Sequence, residues 1–209
     1  MTSTDTLNIA LSDSLAYPRL AVLLEAYRRR EPHVRIQLRE VPFDEQCQGL
    51  NDGTFDAGLC QSAAPHRGIQ STAIWHDALA VGVACQHPLL AHKSVPVELV
   101  VDHPMITLDA HTCPGYRQQV ERLLAVAAPP PACTIEVKSF DLMVTLVAAG
   151  YGVCLAPAAR IKQYRPLGVV GRPITDRVAL TTYLLRKNLQ KNVLLDRFIK
   201  SIQTQLREH

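Results

Sequence analysis

Leu7-Asn-Ile-Ala-Leu11-Ser-Asp-Ser14 is a short apolar run closed by three small polar residues, and the fold is read outward from it. The run predicts a strand, and Ser12-Asp-Ser14 a turn into a helix. Leu20, Leu23, Leu24 and Tyr27 then recur at helical spacing to about Arg30. Pro18 suits that helix's first turn and Pro32 closes it. Val34-Arg-Ile-Gln-Leu-Arg-Glu-Val41 alternates, which predicts a strand with one wet face, ended by Pro42. A second helix from about Asp44 to Asn51 stops at Asp52-Gly53, and Asp56-Ala-Gly-Leu-Cys60 follows as a buried strand. The order β-α-β-α-β calls for a parallel sheet, because each crossover carries the chain back to the same sheet edge.

The middle of the chain repeats the plan. Strands are expected at Leu79–Cys85, Met105–Leu108, Ile135–Lys138 and Val153–Ala156. Helices are expected from about Arg117 to Val126 and from Leu142 to Ala149, with Pro129-Pro-Pro131 as a break between them. Val178 to Leu185 reads as a returning strand. Lys191 to Leu206 reads as an amphipathic helix carrying Val193, Leu194, Phe198, Ile202 and Leu206 on one side. Two α/β sets plus a returning strand and helix predict two lobes. Ligands of open α/β sheets sit at the carboxyl ends of the strands, so a cleft between the lobes is the expected site.

Composition narrows the function. Of 209 residues, 47% are hydrophobic and 20% charged, enough for a real core. The net charge of +3 is too small to suggest nucleic acid. Arg28-Arg29-Arg30 falls at the end of the first helix, where cations suit the helix C-terminus. There is no span of about 18 apolar residues and no signal peptide at the start, so a cytoplasmic chain without membrane contact is expected. Cys47, Cys60, Cys85, Cys113, Cys133 and Cys154 are scattered with no zinc spacing, which reads as reduced thiols and no metal or other cofactor. No G-x-S-x-G, H-E-x-x-H or P-loop pattern occurs, so no enzymatic activity is expected.

Three blocks in order carry a family resemblance: Glu40-Val-Pro-Phe43 with Leu50-Asn-Asp-Gly-Thr-Phe-Asp56-Ala-Gly58, then His87-Pro-Leu89, then Leu146-Val-Ala-Ala-Gly-Tyr-Gly-Val-Cys-Leu-Ala-Pro157. Together they resemble the effector-binding domain of LysR-type transcriptional regulators over essentially the whole chain. The resemblance implies the type 2 periplasmic-binding-protein fold: α/β, two Rossmann-like lobes with mostly parallel sheets, joined by two crossover strands. Lobe I would hold residues 1–80 and 183–209, and lobe II residues 81–182, with crossings near Leu79–Val83 and Leu180–Leu184. It also implies a small polar organic effector in the interlobe cleft and a homodimer, tetrameric in full-length proteins. Leu20–Tyr27 and Met143–Val147 would supply the dimer surfaces. Complete family members begin with a winged helix-turn-helix. This chain opens on the first sensor strand, so DNA binding is expected only through a part absent here, the chain being either a piece of a regulator or free-standing.

The candidate ligand residues follow. Ser12, Asp13 and Ser14 read as helix caps, as ligand-holding groups, or as both, and the family places this loop in its pocket. Pro42 and Phe43 end the second strand at the same sheet edge, where the ring either packs or stacks on the ligand. Gln61 follows the third strand. The resemblance implies that sensors of ring-cleavage acids carry an arginine there, so Gln61 points to a neutral, zwitterionic or monoanionic effector, or else to a solvated loop. Leu108, Thr112, Pro114, Gly115 and Tyr116 border a second-lobe loop that either faces the cleft or lies on the surface. Ser139 reads as the cap of the helix that follows it. Cys113 matches the reactive cysteine of peroxide-sensing relatives, but Arg122 stands where the resolving thiol would be and the next thiol is Cys133. A thiol-based redox sensor is therefore one alternative to effector sensing, and a free-standing solute-binding protein is the other.

Overall fold

The computed structural model describes residues 5–15, 18–63, 68–125, 134–175, 178–188 and 192–207. The chain divides into two compact units, Met1–Trp75 with Thr182–His209, and His76–Thr181.

The first unit opens as its sequence predicts. Strand β1 (Thr6–Leu11) leads into helix α1 (Pro18–Arg30), strand β2 (Arg35–Glu40), helix α2 (Phe43–Asp52) and strand β3 (Ala57–Cys60). β1 pairs in parallel with β2 on one side and with β3 on the other. Arg28, Arg29 and Arg30 occupy the last turn of α1, and Arg29 also pairs with Glu25 one turn back at 2.5 Å. β2 departs from expectation. Alternation predicts one buried face, yet only Ile36 is even half-buried and Leu38 is exposed. β2 is the edge strand of the sheet, and the helices cover the inner strands instead.

Strand β4 (Ile69–Ala84) is 16 residues long and passes from the first unit into the second at Trp75–His76. The apolar stretch from Leu79 is only its second half. The first half, Ile69-Gln-Ser-Thr-Ala73, is too polar to announce a strand by periodicity. The second unit continues through a 3-10 turn at Pro88–Ala91, helix α3 (Val97–Val101), strand β5 (Met105–Leu108), helix α4 (Pro114–Leu124), strand β6 (Thr134–Val137), helix α5 (Phe140–Ala148), strand β7 (Cys154–Pro157), helix α6 (Ala158–Gln163), a 3-10 turn at Arg165–Leu167 and strand β8 (Val169–Pro173). β5 and β6 are parallel, whereas β7 and β8 both pair antiparallel with β4. The triple proline and Cys133 lie outside the described residues. Elements α3, α6 and β8 are too short to be read from periodicity.

The Gly150-Tyr-Gly152 turn shows why its block is so specific. Gly150 has φ +81°, the left-handed stop of α5. At Gly152 a Cβ would lie 2.3 Å from the Pro104 carbonyl oxygen. That close approach lets Val153 N–H donate to Pro104 O and Ile106 N–H to Val153 O, each at 2.8 Å, stitching β7 beside β5.

Strand β9 (Ala179–Lys187) returns the chain to the first unit at Thr181–Thr182, and helix α7 (Val193–Arg207) ends it. β9 pairs antiparallel with β3. In the first unit, Leu7, Ile9, Leu20, Leu23, Tyr27, Leu59, Leu184 and Phe198 form one core. Ala10, Phe43, Leu50, Phe55 and Leu185 form another, so helices cover both faces of the sheet. The main core of the second unit runs from Val81 and Val83 on β4 through Met143 and Val147 on α5 to Ile161 on α6, and Val97 and Val101 on α3 form a smaller cluster with Leu123 and Leu124.

Candidate functional site

In the first unit the carboxyl ends of β1 and β3 carry a buried polar cluster. Ser12, Asp13, Gln46, Gln61 and Ser62 are all at most 5% exposed. Burial of so many polar groups is tolerated only when they bond to one another or to the backbone. Asp13 Oδ2 accepts from the Gln61 N–H at 2.8 Å, tying the loop after β1 to the end of β3. Ser12 N–H donates to Leu59 O at 3.0 Å. The Ser12 hydroxyl has one proton and two acceptors in reach, Gln46 Oε1 at 3.3 Å and Asp13 Oδ2 at 3.4 Å. Gln46 spends its amide Nε2 on the carbonyls of Ala10 and Leu59, both at 3.0 Å. Cys60 lies beneath the cluster, where burial and then the Asp13 carboxylate push its thiol far above the ordinary range.

Asp13 and Ser14 both have φ +56°. Two successive non-glycine residues in the left-handed region store strain, and such strain concentrates at ligand-holding turns. The Asp13–Gln61 bond holds the strained turn in place. Pro42 precedes α2 and Phe43 opens it. Phe43 is 7% exposed and belongs to the core with Leu50 and Phe55, so its ring packs. Gln61 is 3% exposed, which overturns the reading of a solvated loop residue.

In the second unit α4 begins at Pro114, three residues earlier than its sequence suggests, because Pro is favoured in a helix's first turn. Pro114, Gly115 and Tyr116 are thus helical. Leu108 is buried at the end of β5. Asp109 organises the loop between them. Its Oδ1 accepts from the N–H groups of His111 at 3.0 Å and Thr112 at 2.9 Å, and its Oδ2 from the Thr112 hydroxyl at 2.7 Å. Burial raises its pKa, but these bonds and Lys138 outweigh that and hold the carboxyl below its ordinary range. Tyr116 is 3% exposed, and its hydroxyl donates to Leu155 O at 2.7 Å. The ring that sequence offers to a ligand is part of the unit's core. Cys113 is the residue before α4 and is 1% exposed. Ser139 caps α5, its Oγ accepting from Leu142 N–H at 3.3 Å.

Gln46, Ser62 and Gln119 are buried or half-buried polar residues that the sequence reading passed over. Gln46 could have been found, since it shares the inner face of α2 with Cys47 and Leu50. Among the described residues no group of three or more His, Cys, Asp or Glu side chains is placed to hold a metal, and no helix is long and apolar enough to cross a membrane.

Residues 2–207 match the family described as LysR substrate binding domain. The HTH-type transcriptional regulator BenM of Acinetobacter baylyi is 25% identical over 201 residues, 95% of this chain and 66% of BenM. The chain spans only about half to two thirds of the length of such curated relatives. Two solved structures share the fold. The BenM effector binding domain with its effector benzoate has a TM-score of 0.88 at 24% identity, covering 98% of this chain and 93% of that one. The effector binding domain of QuiR in complex with shikimate has a TM-score of 0.84 at 18% identity, covering 99% of each.

Proposed function

The chain belongs to the LysR substrate-binding domain family, and on that premise we propose that it is the effector-sensing part of a cytoplasmic transcriptional regulator, working as a homodimer and doing no chemistry itself. Its curated relatives are named as transcriptional regulators, and its structural neighbours hold benzoate and shikimate. The observation that carries the reading is the strained Asp13–Ser14 turn, pinned to Gln61 at the carboxyl ends of β1 and β3. This is where an open α/β sheet takes its ligand.

Ser12, Ser14 and the Gln61 side chain are the contacts we assign to the effector in the first unit. Pro42 and Phe43 shape the wall. Leu108, Thr112, Pro114 and Gly115 are the candidates in the second unit, with Tyr116 supporting them from the core. Among the described residues the buried polar set of the first unit contains one carboxylate, Asp13, and no lysine or arginine. Repulsion from Asp13 grows with each carboxylate on the ligand, so a neutral, zwitterionic or monoanionic molecule suits that set better than a dicarboxylate. Cys113 lacks the access that a redox sensor needs.

Thermal unfolding of the chain with shikimate, benzoate and a dicarboxylate of similar size tests this. A ligand at a hundred times its Kd adds about 2.7 kcal/mol to stability. Shikimate or benzoate, both monoanions at neutral pH, should raise Tm, and Ser12→Ala should remove most of the rise. A rise that Ser12→Ala leaves intact, or a preference for the dicarboxylate, would overturn the assignment.

A further inference from the structure

The second unit carries a groove of about 350 Å³ whose lining includes Lys162, Arg165 and Arg172 over a floor of Ala80, Ala158 and Gly171. The chain builds it from three consecutive pieces. Lys162 lies in the last turn of α6 and Arg165 opens the 3-10 turn that follows. Gly168, at φ +87°, then reverses the chain into β8, which carries Arg172 and pairs with β4 opposite Val81. The small floor residues leave room. At Gly171 a Cβ would already press on Ile161, 3.2 Å away.

Among the described residues no carboxylate forms an ion pair with Lys162, Arg165 or Arg172. No carboxylate lines it. Five other arginines, Arg29, Arg39, Arg117, Arg186 and Arg197, do pair with Asp or Glu, so acidic partners are within reach elsewhere on the surface. Arg172 is instead fixed by carbonyls. Its Nε donates to His92 O at 2.9 Å, its NH2 nitrogen to Leu90 O at 3.2 Å and its NH1 nitrogen to Gly171 O at 3.5 Å. Carbonyl bonds hold a guanidinium in one orientation without cancelling its charge. An anion arriving there meets a cation already in place.

We propose that this groove binds a small polyvalent anion of the phosphate class, separately from the effector. Three cationic residues lining one hollow exceed what a single carboxylate can satisfy, whereas a phosphoryl group offers several strong acceptors to share among them. The volume suits a phosphorylated small molecule rather than a bare ion. The site is independent of the effector reading, since none of its residues belongs to the Ser12–Gln61 cluster or to the head of α4.

The test is a calorimetric titration of the full chain with inorganic pyrophosphate at low ionic strength, with sodium chloride at matched ionic strength as the blank. Saturable binding near one pyrophosphate per chain is expected. Lys162→Gln and Arg165→Gln, both exposed, should each weaken it about threefold to fivefold. Arg172→Gln should weaken it further, and circular dichroism shows whether that variant folds. Heat no greater than the chloride blank overturns the proposal. So does binding that the Lys162→Gln/Arg165→Gln double variant retains in full. Replacing pyrophosphate by oligonucleotides of increasing length gives the last arm. Affinity that climbs with length means a nucleic-acid surface and overturns the small-anion site, whereas flat affinity supports it.

Discussion

Gln119 holds Thr181 by its backbone at both ends of one side-chain amide. Nε2 donates to the Thr181 carbonyl at 2.8 Å, and Oε1 accepts from the Thr181 N–H at 2.7 Å. The amide thus supplies the two-bond pairing that a neighbouring strand would give. Thr181 is the last residue of the second unit on β9, and its hydroxyl lies 3.0 Å from Nδ1 of His76, the first residue of that unit on β4. Both strands that carry the chain between units are therefore tied at one point, from a helix whose head holds candidate effector contacts.

Gln119→Ala leaves both Thr181 backbone groups without this partner, and we expect a loss of about 2 kcal/mol in urea unfolding. Gln119→Glu can still accept from the N–H but sets a carboxylate against the carbonyl, so it should cost at least as much at neutral pH and less in acid. A loss under about 0.5 kcal/mol for Gln119→Ala, the range of ordinary surface changes, would show that water replaces the pair.

The strained turn separates backbone from side chain. At φ +56° glycine relieves the conformational penalty at Ser14, while its greater freedom in the unfolded chain takes back a similar amount. Ser14→Gly should therefore change stability less than Asp13→Gly does. Asp13→Gly has the same backbone relief but loses the 2.8 Å bond to Gln61 N–H, so it should be less stable than Ser14→Gly by about 1–2 kcal/mol. Equal values for the two variants would mean that the Asp13–Gln61 bond does not hold the turn.

Much of this architecture is legible in the sequence, and the exceptions have physical causes. The alternating and helical runs of the first unit announce β1, α1, β2, α2 and β3 directly. The first half of β4 escapes because Gln70, Ser71 and Thr72 break any apolar period. Ser12, Asp13 and Gln61 stand out as polar residues at strand ends, a local property. Gln46 does not, because its role depends on Ala10 and Leu59, 36 and 13 residues away. Gly58 is its hidden partner: a Cβ there would sit 2.8 Å from the Gln46 amide. Tyr116 misleads for the same reason, since only the packed unit brings Leu155 O to its hydroxyl.

The Asp109 loop gives a pH signature. Its carboxyl is held below the ordinary carboxylate range, so the ionised form favours the folded state. That contribution is complete above the unfolded pKa and disappears as pH falls through the lower, folded one. Thr112→Val removes the 2.7 Å hydroxyl bond, so the Asp109 pKa should rise toward its ordinary value and the acid limb of the stability curve should flatten. Carbon-detected NMR titration of Asp109 in the two proteins reads this directly. An unchanged midpoint would show that the backbone donors of His111 and Thr112 set it alone.

Thiol reactivity distinguishes effector sensing from redox sensing. Cys85 is exposed, while Cys47, Cys60, Cys113 and Cys154 are buried. Burial, with Asp44 adding to it, pushes the Cys47 thiol up to about 11. Burial pushes Cys154 to about 12 against a backbone bond near Gly82. At neutral pH a thiol of pKa 11 is ionised in only about one molecule in ten thousand, and the thiolate is the reacting form. Alkylation of the native chain followed by mass spectrometry should therefore label Cys85 quickly and leave those four unmodified until the chain unfolds. Cys113 has the most at stake. At 1% exposure it sits where a peroxide must first open the start of α4. Labelling of Cys113 as fast as that of Cys85, or its oxidation by low peroxide in the folded chain, would return the redox sensor to the front. Protection of Cys113 alongside Cys154 removes the redox alternative and leaves effector binding as the proposed mode of sensing.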